Sequence, residues 1–139
     1  LVGSEMCKET GPIACALARA CSGSHIVAVD VNDLAIDLTT RNAKALRVGD
    51  RVHACRPEEV DPDLRFDEIW SNPPIRVGKA ALHEILTTWL ARLSDEGVAH
   101  LVVGKNLGAD SLTSWLCEQG FDAARVASAK GFRVIDVHA

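Results

Sequence analysis

The 139-residue sequence predicts an α/β fold built on a doubly wound, mostly parallel sheet with helices on both faces. Three observations carry this expectation. Short β-branched runs alternate with stretches whose apolar residues recur at helical spacing. The run His25 to Val31 (HIVAVDV) is almost continuously apolar, the pattern of a strand buried on both faces. After the last helical stretch come two apolar runs joined by Ala129-Lys130-Gly131, which read as a closing hairpin.

In chain order, Leu1 to Gly11 is the first strand and its turn. Pro12 suits a first helical turn, Ile13, Ala16, Leu17 and Ala20 share a helix face, and Gly23 stops it. After the strand at 25–31, Asn32 or Asp33 opens a helix that runs to about Leu46. Gly49-Asp50 turns it into a strand from Arg51 to Cys55. Asp61-Pro62-Asp63 is a surface turn before the strand that begins at Phe66. Lys79 to Leu93 carries Leu82, Ile85, Leu86, Trp89, Leu90 and Leu93 on one face, an amphipathic helix with Trp89 in the core. Gly97 to Val103 is a buried strand, Asp110 caps a helix bearing Leu112, Trp115 and Leu116, and Gly120 ends it. Phe121 to Ser128 and Gly131 to His138 close the sheet.

Composition narrows the functional classes. With 47% hydrophobic and 24% charged residues, positions 1–139 suit a single packed domain. No apolar run approaches the ~20 residues of a bilayer span and no basic-then-apolar leader is present, so a cytoplasmic protein without a membrane partner is expected. The five cysteines and five histidines show no metal-ligand spacing, which points to buried thiols and structural imidazoles and to no metal. A formal charge of −4 confines any nucleic-acid contact to a local patch. No GxSxG, Walker A or HExxH string is present, which leaves hydrolase and nucleoside-triphosphate chemistry without support.

Two places on this frame carry chemistry. An acid ending the second strand of a doubly wound sheet is placed to accept hydrogen bonds from ribose hydroxyls, and Asp30 is that acid; helix capping falls to Asn32 or Asp33. The strand Phe66-Asp67-Glu68-Ile69-Trp70 stops at Ser71-Asn72-Pro73-Pro74-Ile75. Neither proline can donate to a sheet, and each fixes its own φ, so the carbonyls beside Asn72 are held with few freedoms. The Asn72 amide oxygen beside such a carbonyl presents two acceptors to the two N–H donors of a planar amine.

Asn72-Pro73-Pro74 after an apolar strand resembles the amine-recognition motif of class I S-adenosylmethionine-dependent methyltransferases. The longer string to Ile75-Arg76-Val77-Gly78-Lys79, with Leu82-His83-Glu84, resembles the methyltransferase small domain family, which includes small-subunit ribosomal RNA guanine-N2 methyltransferases. The runs at 101–103, 105–109 and 130–134 are similar too. The resemblance implies a Rossmann-like seven-stranded sheet with an antiparallel last strand, S-adenosyl-L-methionine as cofactor, and ribosomal RNA or the small ribosomal subunit as partner. Asn72, Pro73 and Pro74 would be catalytic. Glu5, Gly11, Asp30 and Asn72 would face the cofactor, and Ile75, Arg76, Lys79, Lys105, Lys130 and Arg133 the substrate. Ile75 replaces the aromatic that often stacks on the target base, which leaves Phe132 as a candidate platform or a core residue. Family members carry a segment ahead of the cofactor motif, so a chain starting at Leu1 is expected to lack one.

The sequence departs from the family in two places. Aligned on Gly11, the glycine-rich cofactor turn has Glu5 at its acid but Cys7 and Glu9 where glycines let the backbone approach the cofactor. After the third strand stands Arg56, where an acid near the adenine amine is common, with Glu58 and Glu59 a turn later. Two alternatives therefore stand beside the RNA reading. A protein glutamine-N5 methyltransferase would meet its amide with the same acceptors, and a degenerate, non-catalytic domain would dock RNA or a partner.

Overall fold

The computed structural model describes residues 2–6, 10–73, 77–104, 106 and 108–139, with the side chains of 2–6 and 10–13 excepted. The expectations on Cys7, Glu9, Pro74, Ile75, Arg76 and Lys105 lie outside the described residues. The chain forms two compact units, Leu1–Phe66 and Asp67–Ala139.

The first unit contains β1 (Val2–Met6), α1 (Thr10–Ala20), β2 (His25–Val29), α2 (Asp33–Ala45) and β3 (Val52–Cys55). Its strands lie in the order β3-β2-β1. All are parallel, with Met6 opposite Val29 and Val29 opposite Cys55. Parallel neighbours need a crossover, and α1 and α2 supply it. Ala14, Cys15 and Ala18 of α1 pack with Ile26, Ala28, Ala43, Val48 and Val52 in one core cluster. Small alanines let helix and strand approach closely. Asn32 caps α2 by accepting from the Leu34 and Ala35 amides. A short 3-10 turn, Pro57–Glu59, follows β3.

The second unit takes in β4 (Phe66–Ser71, from Asp67 onward), α3 (Lys79–Leu90), β5 (Leu93–Gly104), α4 (Ala109–Glu118), β6 (Asp122–Ala129) and β7 (Phe132–His138). Its strand order is β4-β5-β7-β6. The last strand, β7, inserts antiparallel to both β5 and β6, so the closing hairpin is folded as expected. β4 and β5 run the same way. Ser94 Oγ donates to the Asp67 carboxylate near their starts (3.0 Å), while the Trp70 and His100 rings meet further along, with centroids 4.4 Å apart. Leu101, Ile135 and Val137 have no exposed surface and centre the core, with Leu86, Trp89 and Leu116 packed from the helices.

Several boundaries differ from expectation, beginning with β2, which ends at Val29 and not at Val31. α3 ends at Leu90, and Leu93 belongs to β5, which starts four residues before Gly97. Helix α4 is entered through Gly108 in the left-handed region (φ 82°), so Asp110 lies inside the first turn and is not the cap. Cys15 and Cys55 are buried thiols, whereas Cys21 is half-buried and Cys117 exposed. Two histidines have structural partners: His100 Nδ1 lies 2.6 Å from Asp136, and His83 stacks on Trp115 with ring centroids 3.7 Å apart.

Candidate functional site

In the first unit the parallel register brings the carboxyl ends of β1, β2 and β3 to one edge. Asp30 sits there, immediately past β2 and only 6% exposed. Its amide donates to the Cys55 carbonyl (3.1 Å), which stitches it to the end of β3. Its Oδ1 accepts the Asn32 amide at 2.9 Å, and this short loop fixes the direction of the carboxylate. Glu5 lies on β1 at the same edge, and Gly11 in the first turn of α1.

The neighbouring departure, Arg56, has a local partner that spacing did not reveal. Its guanidinium reaches Asp33 at the start of α2, with Nε 2.9 Å and Nη2 2.6 Å from Oδ1. The hydrogen bond and the charge of Asp33 raise the guanidinium further above its ordinary pKa. The Arg56 amide donates to the Glu59 carboxylate at 2.7 Å, so the segment after β3 is closed on itself. Burial, reinforced by the charge of Glu59, pushes the Cys55 thiol up.

In the second unit Asn72 follows β4 directly. Pro73 is buried while Asn72 is exposed, so the prolyl ring anchors the turn and leaves the amide facing solvent. Lys79 is exposed at the first residue of α3, after Gly78 at φ 96°, a backbone conformation that an L side chain would strain. The first turn of α3 carries no acid. A cation at the positive end of a helix dipole is disfavoured by about 0.3–1 kcal/mol, which an anion at the same place reverses.

The edge where β5 ends also bears the β6–β7 hairpin, since Gly104 is opposite Phe132 and Phe132 opposite Ala129. Lys130 is exposed at the turn and Phe132 is 54% exposed. Arg133, expected on a cationic rim, is held inward: Nη1 donates to Asp110 of α4 at 2.9 Å and the side chain is 17% exposed. Arg125 approaches the same carboxylate at 3.7 Å. The Arg133–Asp110 pair spans 23 positions of sequence, and no local signal announces it.

Of the expected site residues, the structure thus sets Glu5 and Asp30 at one strand edge of the first unit. It sets Asn72 and Lys130 at one strand edge of the second, since β4 and β5 run together, and Lys79 opens the helix that follows β4. Among the described residues no group of acids, histidines and cysteines is placed to hold a metal ion, and no helix is long and apolar enough to cross a membrane.

Residues 7–136 match the methyltransferase small domain family. The uncharacterized protein YbxB of Bacillus subtilis is 31% identical over 128 residues, covering 90% of this chain and 63% of its own length. The release factor glutamine methyltransferase of Aquifex aeolicus is 32% identical over 139 residues, covering 94% of this chain and 48% of its own. The chain therefore spans less than two thirds of either relative. Among solved structures, a ribosomal protein L11 methylase from Lactobacillus delbrueckii superposes with a TM-score of 0.77 at 18% identity, over 99% of this chain and 69% of that one.

Proposed function

Because the chain belongs to the methyltransferase small domain family, whose cofactor is S-adenosyl-L-methionine, we propose that it methylates an exocyclic amine, namely guanine N2 of small-subunit ribosomal RNA. The observation that carries the reading is Asn72, an exposed amide on a buried prolyl anchor at the end of β4. In this reading positions 1–139 form a single domain with the seven-stranded sheet of the family.

S-adenosylmethionine, when bound, supplies a methyl group on a sulfonium whose leaving group departs neutral. The protein's task is then placement. Guanine N2 shares its lone pair with the ring and is a weak nucleophile. The Asn72 side-chain oxygen and the Pro73 carbonyl accept its two N–H bonds, which favours a pyramidal nitrogen. Those bonds strengthen as positive charge develops on it. Pro74 stiffens the clamp, and Ile75 gives apolar contact to the base. Asp30 would accept the ribose hydroxyls of the cofactor, with Glu5 and Gly11 also facing it.

RNA is favoured over other amine substrates by the basic positions around the clamp. Lys79, disfavoured by the dipole of α3 unless an anion is bound there, supports phosphate binding, together with Arg76, Lys105 and Lys130. Arg133 contributes indirectly, by tying β7 to α4. The second reading is glutamine-N5 methylation of a protein, favoured by the name of the Aquifex aeolicus relative. A third, a non-catalytic domain, rests on Cys7 and Glu9 in the glycine turn.

Replacement of Asn72 with Ala tests the clamp. It is expected to abolish methyl transfer to ribosomal RNA at an unchanged unfolding midpoint, because Asn72 is exposed and packs no core. Full activity in Asn72→Ala would remove the residue from the chemistry.

A further inference from the structure

Helix α4 carries Asp110, Thr113, Ser114 and Cys117 at spacings i, i+3, i+4 and i+7, which puts them on one face. All four line an open groove of about 630 Å³, bounded on its other side by Arg125 of β6. That volume lies in the range of about 300–1,000 Å³ usual for small-ligand sites. The helix packs into the core through other residues, Ala109, Leu112 and Leu116, so the polar face is not needed to hold α4 in place. The groove starts at Asp110, in the first turn of the helix after β5, and therefore opens on the strand edge that bears Lys130 and Arg133.

Its charges do not balance. Two guanidinium groups converge on one oxygen of Asp110, Arg133 Nη1 at 2.9 Å and Arg125 Nη1 at 3.7 Å. From Ala123 to Arg133 the chain has three cations, Arg125, Lys130 and Arg133, and no acid, although its formal charge is −4. Arg133 Nε is buried without a hydrogen-bond partner, a second sign that cations outnumber acceptors here. Arg125 lies beyond hydrogen-bond distance of the carboxylate, and its side chain is 49% exposed. So exposed an ion pair contributes little. An incoming anion can draw Arg125 away and leave Asp110 to neutralise Arg133.

The hydroxyls of the groove set the rest of the ligand. Thr113 Oγ1 donates to the Ala109 carbonyl at 2.8 Å and Ser114 Oγ to the Asp110 carbonyl at 3.0 Å, so each has its proton in use and offers lone pairs. A ligand that fits brings an anion to Arg125 and a donor to Thr113 or Ser114. A bare phosphate dianion brings only the first. A ribonucleotide brings both, through its phosphate and its 2′-hydroxyl. We propose that the α4–β6 groove seats a nucleotide flanking the target guanosine, with its phosphate on Arg125 and its 2′-hydroxyl donating to Thr113 or Ser114. The inference rests on the RNA reading given above and deepens it with a second contact, outside the amine clamp, that tells RNA from DNA.

Cys117 reports occupancy, because its exposed thiol lines the groove while Cys15 and Cys55 are buried. The whole chain is alkylated with iodoacetamide, with and without a single-stranded RNA nonamer of one guanosine among uridines, and each modified cysteine is located by mass spectrometry. Fluorescence anisotropy measures binding in parallel. RNA should slow alkylation of Cys117 in proportion to the fraction bound. Arg125→Gln should flatten the plot of log affinity against log salt by about 0.7, the share of one single-strand phosphate, and Arg125→Lys, which keeps the charge, should restore the slope. Thr113→Val combined with Ser114→Ala should shrink the preference for this RNA over the DNA nonamer of matching sequence. Undiminished alkylation of Cys117 with RNA bound, or an unchanged slope in Arg125→Gln, would overturn the groove and leave the RNA reading standing. An unchanged RNA preference in the hydroxyl variant would overturn the 2′-hydroxyl contact. Protection of Cys117 by a polyglutamate peptide and not by RNA would overturn the proposal in favour of a protein ligand. No RNA binding by wild type would remove the RNA reading and the proposal together.

Discussion

Lys130 allows the tension between folding and function to be measured in one substitution. At φ 46° it occupies the left-handed region, where an L side chain crowds the following carbonyl at a cost of about 1–2 kcal/mol. Asparagine tolerates that region better, because its short side chain bonds the local backbone, and Asn followed by Gly131 is the preferred type I′ pair. The side chain of Lys130 is exposed, so no packing is lost. Lys130→Asn should then stabilise the protein by about 1 kcal/mol, which for a chain of this size raises the unfolding midpoint by about 3 °C. Thermal unfolding by circular dichroism measures the gain. If Lys130 also holds a phosphate, the same variant should flatten the plot of log affinity for single-stranded RNA against log salt by about 0.7. A midpoint that stays put or falls would refute the strain argument. An unchanged salt slope would refute the phosphate contact.

Two further outcomes follow from the first unit. Asp30→Asn keeps an oxygen for the Asn32 amide but removes the charge. Hydrogen bonds to a charged group contribute about 1.5–3 kcal/mol, against roughly 0.5–1.5 for neutral ones. Calorimetry should therefore show S-adenosylmethionine binding weakened at least about tenfold. Unchanged affinity would remove Asp30 from the cofactor site, and no binding by wild type would favour the degenerate-domain reading. Cys55 holds its proton more tightly folded than unfolded, because burial and then the charge of Glu59 raise its pKa. Its contribution to stability is complete below the ordinary thiol value of about 8.5 and declines as pH rises toward the folded value. Stability measured from pH 7 to 10 should fall less steeply in Cys55→Ala than in wild type. Parallel curves would contradict that coupling.

Much of the fold was legible because its signals are local. The apolar run that forms β2, two residues shorter than the expected 25–31, the Asn32 cap and the abrupt stop at Asn72-Pro73 each depend on neighbouring residues alone. What escaped depends on contacts between distant positions. Leu93 continues the helical spacing of α3, yet it enters β5, because Ser94 bonds Asp67 of the adjoining strand and draws the polar stretch before Gly97 into the sheet. Asp110 has the composition of a cap, but the left-handed turn at Gly108 starts the helix and frees that carboxylate for Arg133. For the same reason Arg133 is not the exposed cation its sequence neighbours suggested. Phe132 could not be assigned to core or surface from hydrophobicity, because only the strand register reveals that Gly104 and Ala129 flank it.

The central claim is the substrate, and the product of methyl transfer tests it most directly. The protein, incubated with S-adenosylmethionine carrying a labelled methyl group, is offered unmethylated small ribosomal subunits and, in parallel, a glutamine-containing release factor. Both products are digested and the labelled species identified by mass spectrometry, with Asn72→Ala as control. Labelled N2-methylguanosine from the ribosomal RNA, absent in the control, is the result expected. Labelled N5-methylglutamine from the protein with unlabelled RNA would contradict it.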